Sequence, residues 1–557
     1  MPQSQPLRIG ILVDSEQVAT WQYQLLERLI SSRSAEVVLT VVRQNHQTPD
    51  SESNRGHFGY RLLLQYLRWD HRRFRGKGDP FALRELRDLQ ASFDTIFVQP
   101  QTSQWIDTFS DHDVEEIKNH NLDIIIRLGF RILHGDILNA ARYGVWSYHH
   151  GDNSINRGGP PGFWEVYENQ NCIGLTLQLL NEELDDGLVL AKSILATDKF
   201  SVNRTKESVY WRSTDVLPRK IRELHLLGAD AFFEKIESEN AYIDFYDRPL
   251  LTLKNLSIRE SLGFIATNFL QYLRHAVFLR RYEEKWVLYF HLAEELSTSA
   301  WQFRRLESPN DRYWADPHVV AKDDYFYIFV EEFIYKTDKG RIAVLTLDKT
   351  GQLLDTKTVL ELPYHLSYPS MFQYQDQWYM IPETCENRTI ELYRCADFPH
   401  VWEPAGVLMD NVDAVDTSLY FHGGKWWMFT TMCDNDGENR FDELFIFSSD
   451  SPLSNRWEPH PMNPVVSDVR SGRPGGALFE HDGALYRPAQ DCSKDYGYAM
   501  SVQRVVELTD STYKEYTTTK LLPDWSKGLY GTHTLAYTPG ITVIDARTHL
   551  KRRSVSK

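Results

Sequence analysis

A repeated strand pattern occupies the chain after about residue 300. Each of five segments contains a strand, a turn with Gly or Asp, and a second strand rich in aromatic residues. The segments begin at Asp316, Tyr368, Asp416, Gly475 and His533, at intervals of 52, 48, 59 and 58 residues. Propeller blades are four-stranded units that recur roughly every 40–50 residues, so the pattern predicts an all-β five-bladed propeller over residues 293–557. Five unrelated hairpins would not share one register.

The first half of the chain has a different hydrophobic period. Short apolar strands such as Leu7–Val13 and Leu122–Ile126 alternate with segments of helical spacing such as Trp21–Ile30. This alternation predicts parallel βαβ units, and therefore an α/β doubly wound domain over residues 1–205. Residues 206–292 have mostly helical periodicity, which predicts a helical connector between the two domains.

Composition and charge exclude several classes of protein. The chain has 557 residues, of which 42% are apolar, and its 61 basic and 77 acidic residues give a net charge of −16. We therefore expect no nucleic-acid partner, because phosphate contact needs a positive field. The five scattered cysteines include no CxxC pair, so we expect neither a disulfide framework nor a metal site.

The sequence shows neither a membrane span nor a signal peptide. Met1–Pro6 is polar, and the longest uncharged apolar-rich run of the central region, Ser261–Leu273, has 13 residues. A spanning helix needs about 20. We therefore expect a cytoplasmic protein without a transmembrane segment. The basic residues Arg274, Arg280 and Arg281 leave peripheral membrane contact open.

A loop rich in His, Gly and Pro follows one of the predicted strands. Residues Gly144–Trp164 read GVWSYHHGDNSINRGGPPGFW. His149 directly follows the strand-like VWSY, and doubly wound folds bind ligands at the carboxyl ends of their strands. Arg157 and Gly158 begin a turn-rich stretch of the same loop. Asp185, within the sequence LDDG, follows another apolar strand and is a candidate for the same cleft.

These motifs resemble the formyltransferase family, which includes methionyl-tRNA, glycinamide ribonucleotide and sugar N-formyltransferases. The resemblance covers about residues 7–200 and implies 10-formyltetrahydrofolate as co-substrate. It also implies that His149 is the catalytic histidine, that Asp185 is the catalytic aspartate, and that the Arg157–Gly158 pair binds substrate. The family has an asparagine two positions before the histidine, and here that position is Ser147.

The resemblance implies acyl transfer to a primary amine. His149 would stabilise the developing oxyanion or shuttle the amine proton, and Asp185 would raise its basicity. Ser147 would donate one hydrogen bond to the same oxygen, with a shorter reach than asparagine. Loss of one oxyanion donor typically costs roughly 10²–10³ in rate. Residues 14–16 after the first strand lack the glycines of a purine-nucleotide site, and the acidic chain argues against tRNA, so the expected acceptor is an amino sugar or glycoconjugate precursor.

Polar residues recur at equivalent positions of the five repeats. Residues at one register should converge on the central face of a propeller, and charges repeated there are not explained by solvation alone. Paired carboxylates are the groups that glycoside hydrolysis uses as acid and as base or nucleophile. The predicted residues of the propeller axis are Asp316, Glu331, Glu383, Asp416, Arg473 and His533.

The repeat region resembles two known groups of propellers. Residues 314–317 (WADP) and Asp416 resemble the five-bladed furanosidase clan, in which the first aspartate is base or nucleophile and the third-blade aspartate tunes the acid. The clan's acid is a glutamate on a later blade, where this chain has Arg473 and Gly475. Residues Arg487–Gly497 (RPAQDCSKDYG) are more similar to the propeller domain of plant glucosamine inositolphosphorylceramide transferases, which implies glycan handling.

Three functions are therefore compatible with the sequence. The favoured one is transfer of a formyl group from 10-formyltetrahydrofolate to an amino sugar, with the propeller holding the glycan. The second is a glycan-processing, furanosidase-like propeller attached to an inactive formyltransferase domain. The third is a non-catalytic glycan-binding protein.

Overall fold

A computed structural model describes residues 5–44, 57–76, 78–89, 93–103, 105–155, 159–182, 187–241, 252–433 and 439–551. The chain divides into two compact units, and the division falls inside one long helix, between Tyr272 and Leu273. None of the described helices is long and apolar enough to cross a membrane.

The first unit alternates strands and helices around one large sheet. Its strands lie in the order β12-β11-β10-β8-β1-β3-β5. Its elements are β1 (Leu7–Val13), β2 (Gln17–Ala19), α1 (Thr20–Ser31), β3 (Ala35–Arg43), α2 (Phe58–Arg73), β4 (Leu83–Glu85), β5 (Asp94–Val98), β6 (Gln101–Ser103), β7 (Ile106–Thr108), α3 (Asp111–Lys118), β8 (Ile124–Arg127), β9 (Ile132–His134), β10 (Val145–His149), α4 (Phe163–Tyr167), β11 (Cys172–Leu179), β12 (Leu188–Ala196), α5 (Val202–Leu227) and α6 (Ala229–Asn240).

The sheet is mixed rather than wholly parallel. Strands β1, β3, β5, β8 and β10 run parallel, in agreement with the predicted βαβ units. Strands β11 and β12 run antiparallel to their neighbours. The described residues between β11 and β12 include no helix, and an antiparallel pair needs no helical crossover.

Both faces of the sheet are covered by helices. Alternate residues of a strand point to opposite faces, and Ile9 and Ile11 of β1 pack in a core that includes Leu25 of α1 and Leu217 of α5. Leu12 lies on the other face, in a core that includes residues of α3. The apolar run of β1 is thus buried on both sides, as expected for a central strand of a doubly wound sheet.

The helical stretch after the sheet is shorter than the predicted connector. Helix α7 (Ile258–Arg281) ends at Arg281, and Tyr282–His291 forms the strand β13 instead of continuing the connector to residue 292. The sequence Lys285–Phe290 is apolar and β-branched or aromatic at most positions, and the strand is buried along this part. Its ten residues pair with the last strand of the chain.

The second unit consists of antiparallel sheets. Its strands are β13 (Tyr282–His291), β14 (Arg304–Leu306), β15 (Arg312–Lys322), β16 (Tyr325–Ile334), β17 (Lys339–Asp348), β18 (Leu353–Leu360), β19 (Ser367–Tyr374), β20 (Gln377–Thr384), β21 (Thr389–Asp397), β22 (Val401–Asp410), β23 (Ala414–His422), β24 (Lys425–Met432), β25 (Glu443–Ser449), β26 (Glu458–Pro459), β27 (Val466–Ser467), β28 (Phe479–His481), β29 (Ala484–Asp491), β30 (Ala499–Leu508), β31 (Tyr513–Leu521), β32 (Leu535–Thr538) and β33 (Ile541–Lys551).

The strands of the second unit form successive sheets along the chain. Strands β15–β18, β19–β22, β23–β27 and β28–β31 each form one sheet, and β13 and β14 join β32 and β33 in another. Each of the five sequence repeats forms an antiparallel hairpin: β15–β16, β19–β20, β23–β24, β28–β29 and β32–β33. The sheet that contains the first strand of the unit therefore also contains the last.

Candidate functional sites

The first site lies at the carboxyl edge of the large sheet. Strand β8 runs parallel to both β1 and β10, so these strands end on one side. Arg127 is the last residue of β8 and His149 is the last residue of β10. Ser147 pairs with Arg127 in the ladder between the two strands. The structure thus brings the predicted Ser147 and His149 to the edge where doubly wound folds bind ligands.

Ser147 is engaged by the neighbouring arginine. The Ser147 side chain is buried, and its hydroxyl oxygen accepts a hydrogen bond of 2.9 Å from Nε of Arg127. The same guanidinium donates from Nη1 to the Arg131 carbonyl oxygen at 2.7 Å. Arg127 was not among the predicted residues, because a basic residue at a strand end has no spacing signature.

Gly151 provides space for the imidazole of His149. His149 is half-buried and pairs with Thr176 of β11. A Cβ atom built on Gly151 would lie 2.9 Å from Nε2 of His149. The Thr176 hydroxyl donates a hydrogen bond of 3.1 Å to the Gly151 carbonyl oxygen and fixes the turn. Only a residue without a side chain leaves the imidazole in its position.

His150 packs against α5 instead. Its ring stacks on Tyr210 with the centroids 3.9 Å apart, and its Nε2 lies 3.1 Å from the Ser213 hydroxyl. Burial lowers the pKa of His150 to about 3, and the positive charges of His149 and Lys206 add to the effect. A neutral, packed imidazole suits a structural role, so the two adjacent histidines differ in their environments.

Two further polar residues of this loop are buried. Oδ1 of Asp152 accepts a hydrogen bond of 2.6 Å from Nζ of Lys192. Burial would raise the pKa of Asp152, but hydrogen bonds from Lys192 and Ser154 outweigh it and hold the pKa below its ordinary value. Asn153 is 1% exposed, and neither atom of its amide has a hydrogen-bond partner among the described residues. The burial of Asp152 and Asn153 was not part of the sequence prediction.

Three predicted residues of this site lie outside the described part of the chain. They are Asp185, Arg157 and Gly158. The expected approach of His149 and Asp185 therefore remains a prediction.

The second site is a buried cluster in the second unit. At equivalent positions of three hairpins, Asp316, Tyr368 and Asp416 have φ angles of 50°, 44° and 52°. Each lies within an irregularity of its ladder, where the register between two strands shifts. Left-handed backbone at a non-glycine residue is uncommon, and it concentrates at functional sites. At all three positions, the positive φ angle changes the direction of the side chain from the one that a regular strand would give it.

His533 lies between two carboxylates. Its Nδ1 is 2.6 Å from Oδ2 of Asp545, and its Nε2 is 3.4 Å from Oδ1 of Asp316. The backbone N–H of Asp316 donates to Asp545 at 3.1 Å, and Trp286 stacks on the imidazole with the centroids 3.8 Å apart. Burial would lower the pKa of His533, but the two carboxylates outweigh it and raise the pKa. Both ring nitrogens of His533 thus face a carboxylate, an arrangement that suits an ion-pair network.

Arg473 holds the other part of the cluster. Its Nε donates to Oδ2 of Asp416 at 2.6 Å, and its Nη2 lies 3.9 Å from Oε2 of Glu383. Gln490 also donates to Oδ2 of Asp416, at 2.7 Å. Oε2 of Glu383 is buried and has no hydrogen-bond partner among the described residues. The Arg473 guanidinium therefore lies closer to the Asp416 carboxylate than to that of Glu383, and it stabilises the negative charge of Asp416 more strongly.

The carboxyl groups of this cluster have separated pKa values. Burial raises the pKa of Asp316 to about 6, with His533 opposing the shift. Burial also raises the pKa of Glu383 to about 8, and the charge of Asp416 adds to it while Arg473 opposes it. The pKa of Glu331 is well above its ordinary value because of burial and the charge of Asp316. The fold thus favours the protonated form of each of these three carboxyl groups.

The repeats match a known family. Residues 300–535 match the family model described as glucosamine inositolphosphorylceramide transferase 1, N-terminal. Glucosamine inositolphosphorylceramide transferase 1 of Oryza sativa subsp. japonica is 36% identical over 204 residues, which is 36% of this chain and 27% of that protein. The resemblance predicted from the repeat region is thus confirmed. The matched part of the chain thus spans about a quarter of the length of this relative, 27%.

The chain is also similar to formyltransferases and to a glycoside hydrolase. Methionyl-tRNA formyltransferase of Lachnospira eligens is 26% identical over 143 residues, which is 26% of this chain and 43% of that protein. Among solved structures, a family 117 glycoside hydrolase of the marine bacterium Zobellia galactanivorans has a TM-score of 0.31 at 11% identity, covering 47% of this chain and 91% of that chain.

The predicted axis residues lie in one buried cluster, to which Asp545 and Tyr496 also belong. The predicted residues are buried, and the charge of each affects the pKa of others in the group. They are Asp316, Glu331, Glu383, Asp416, Arg473 and His533. Asp545 was missed because the last hairpin is shorter, so its inward residue does not follow His533 by the spacing of the other copies. Tyr496 was missed although it lies in RPAQDCSKDYG, and its ring lies 5.0 Å from the Arg473 guanidinium carbon.

Proposed function

We propose that the protein is an N-formyltransferase that uses 10-formyltetrahydrofolate to formylate the amine of an amino sugar or glycoconjugate precursor. The observation that carries this proposal is the position of His149 beside the Arg127–Ser147 pair at the carboxyl edge of the sheet. Imidazole and hydroxyl groups are donors that suit a developing oxyanion, so the residues present fit a formyl donor.

The proposed reaction assigns a role to each predicted residue. The amine nitrogen forms a bond with the formyl carbon, the bond from that carbon to N10 of the folate breaks, and the amine proton passes by way of His149 to N10. Asp185 raises the basicity of His149, and Ser147 donates to the formyl oxygen. Arg157 and Gly158 bind the substrate. The products are an N-formyl sugar and tetrahydrofolate.

We propose three parts of the chain for this function. They are a formyltransferase-like domain over residues 1–205, a connecting region over 206–292, and a five-bladed propeller over 293–557. The successive antiparallel sheets, and the sharing of one sheet by the first and last strands, support the propeller. A cytoplasmic location would give access to a folate co-substrate and belongs to the same proposal.

The proposal is tested by incubating the full chain with 10-formyltetrahydrofolate and a panel of amino sugars. We expect tetrahydrofolate to form with at least one of them, and His149→Ala to lower the rate at least about 10²-fold. His112→Ala, at an exposed histidine of the same unit, is the matched control and should leave the rate unchanged. Turnover that survives His149→Ala, or no turnover with any amine, would contradict the proposal.

A second candidate function is glycan processing or binding by the propeller. The separated pKa values of Asp316 and Glu383 favour it, because glycoside hydrolysis needs a base and an acid. The matched family carries glucosamine in its name, and an amino-sugar glycan suits an acidic cluster. Assays of the full chain with chromogenic glycosides, and calorimetry with amino-sugar oligosaccharides, distinguish hydrolysis from binding. Asp316→Asn should abolish either one, and exposed Asp355→Asn should not.

Peripheral membrane contact remains part of the proposal. Helix α7 exposes Leu262, Phe269 and Leu273, and its basic residues include Arg274 and Arg281. An amphipathic helix with these features suits an anionic lipid surface. Sedimentation with phosphatidylcholine vesicles, with and without phosphatidylglycerol, tests it, and binding should require the anionic lipid.

A further inference from the structure

Ser147 stands where the formyltransferase family has an asparagine, yet it has a cationic neighbour. A serine hydroxyl alone is a shorter and weaker donor than a carboxamide. Here its oxygen accepts the Nε–H of Arg127 at 2.9 Å, from a strand to which it is directly paired. The exchange of amide for hydroxyl is therefore accompanied by a positive charge in contact with that hydroxyl.

We propose that Arg127 is a positioning residue that polarises the Ser147 hydroxyl, so that the Arg127–Ser147 pair supplies the oxyanion donor in place of an asparagine amide. This inference rests on the proposed formyl transfer. Arg127 acts through Ser147 rather than on the formyl group itself.

The hydrogen-bond directions support this assignment. Because the serine oxygen accepts from a guanidinium, its single proton is available to an outward acceptor, and a charge-assisted bond strengthens the next bond of a chain. Within the described part of the chain, the Ser147 hydroxyl donates to the Tyr148 carbonyl oxygen at 3.4 Å, which is too long for a strong bond. The hydroxyl can therefore turn to a developing oxyanion at little cost.

The guanidinium is held in place before any substrate binds. Nη1 donates to the Arg131 carbonyl oxygen at 2.7 Å, so two groups of the side chain are fixed in addition to the strand that carries it. Donors that need no reorganisation are the ones that stabilise a transition state most. A lysine could supply the charge but not both fixed contacts.

The experiment compares Arg127→Gln, Ser147→Ala, Ser147→Asn and the doubles in steady-state formyl transfer by the full chain. We expect Arg127→Gln to lower kcat about 10–100-fold with little change in the KM for the folate, because only transition-state bonding is lost. Arg127→Gln/Ser147→Ala should be no slower than Ser147→Ala alone, since the arginine acts through the serine. In the Ser147→Asn background, which restores a carboxamide, Arg127→Gln should cost less than about threefold.

Controls separate this mechanism from a folding defect and from failure of the proposed function. Arg142→Gln, at an exposed arginine of the same unit, should retain full activity. Arg127→Lys should fold and retain an intermediate kcat, and thermal unfolding with 5-formyltetrahydrofolate reports whether each variant still binds folate. This inference alone is wrong if the unsubstituted chain is active and the kcat of Arg127→Gln lies within twofold of its kcat. It is also wrong if the effects of Arg127→Gln and Ser147→Ala on kcat multiply in the double variant. No turnover by the unsubstituted chain overturns both.

Discussion

At the scale of single residues, Gly151 determines where the imidazole of His149 can lie. A methyl group there would approach Nε2 to 2.9 Å, closer than real Cβ contacts allow. We expect Gly151→Ala to displace the imidazole and to lower kcat about 10²-fold, because small misplacements of a reacting group have large effects. Gly263→Ala, in α7, is the matched control, since a Cβ there meets no atom of the described residues within 4 Å. Equal rates in the two variants would contradict the role given to Gly151.

His150 predicts a pH dependence of stability. Its folded pKa of about 3 lies below the ordinary value of 6.5, so the folded state binds fewer protons in between. The stabilisation is fully present above about pH 6.5 and is lost as the pH falls toward 3. His150→Phe keeps a ring against Tyr210 and should flatten the loss of melting temperature between pH 7 and 4.5. The Ser213 hydroxyl still donates to the Val209 carbonyl oxygen, so the variant leaves no donor unpaired. An unchanged pH slope would contradict this account.

Glu383 predicts the opposite pH dependence. Its folded pKa of about 8 lies above the ordinary 4.5, so its protonated form is favoured by the fold. The stabilisation is fully present below about pH 4.5 and is lost as the pH rises through 8. We expect Glu383→Gln to change the melting temperature more favourably at pH 8 than at pH 5, each compared with the unsubstituted chain at the same pH. Calorimetry measures both differences. Glu458→Gln, at an exposed position of β26, should not change this difference.

At the scale of elements, Tyr368 connects two sheets and the loop that precedes β28. Its hydroxyl accepts a hydrogen bond of 2.9 Å from the Gly476 N–H and lies 3.1 Å from the Ser418 hydroxyl, although Tyr368 itself belongs to β19. Tyr368→Phe leaves the buried Gly476 N–H without that partner and should cost about 1–3 kcal/mol. Denaturant unfolding measures it. Tyr516→Phe, at a half-exposed tyrosine of β31, is the control.

The elements were predicted to different extents, for physical reasons. The hairpin repeats follow from alternation of polar and aromatic residues, which is a local property of the sequence. The end of the helical stretch at Arg281 was placed too late, because β13 is determined by its pairing with β33, more than 200 residues away in the chain. The burial of Asp316 and Asp416 agrees with their shared register in the repeats, whereas their left-handed backbone depends on the register shifts between strands.

Only those residues of the first site that belong to a sequence motif were predictable. His149 and Ser147 were identified from a family pattern, and the strand end they occupy agrees with the hydrophobic run before them. Arg127 could not be identified, because its relation to Ser147 arises from the pairing of two parallel strands separated by 20 positions. Sequence patterns reveal residues within one element, and pairing between elements supplies their partners.

At the scale of the whole molecule, the two sites should act independently. Each unit has its own apolar cores, and each site draws its described residues from one unit only. We therefore expect His149→Ala to abolish formyl transfer without changing the dissociation constant for amino-sugar oligosaccharides. Asp316→Asn should abolish the binding of amino-sugar oligosaccharides without changing formyl transfer to a monosaccharide acceptor. The double variant should lose both activities, each by the same factor as in the single variant.

The choice of acceptor makes this independence measurable. A monosaccharide has no further sugar units to offer to the second site, so we expect its kcat/KM to follow the first site alone. If Asp316→Asn lowers formyl transfer to the monosaccharide more than about threefold while the melting temperature stays unchanged, the two sites are coupled, and independent action is wrong. If the loss is confined to oligosaccharide acceptors and lies in KM, the second site contributes binding that is equal in the ground and transition states. The glycan then increases the occupancy of the formyl-transfer site without taking part in its chemistry.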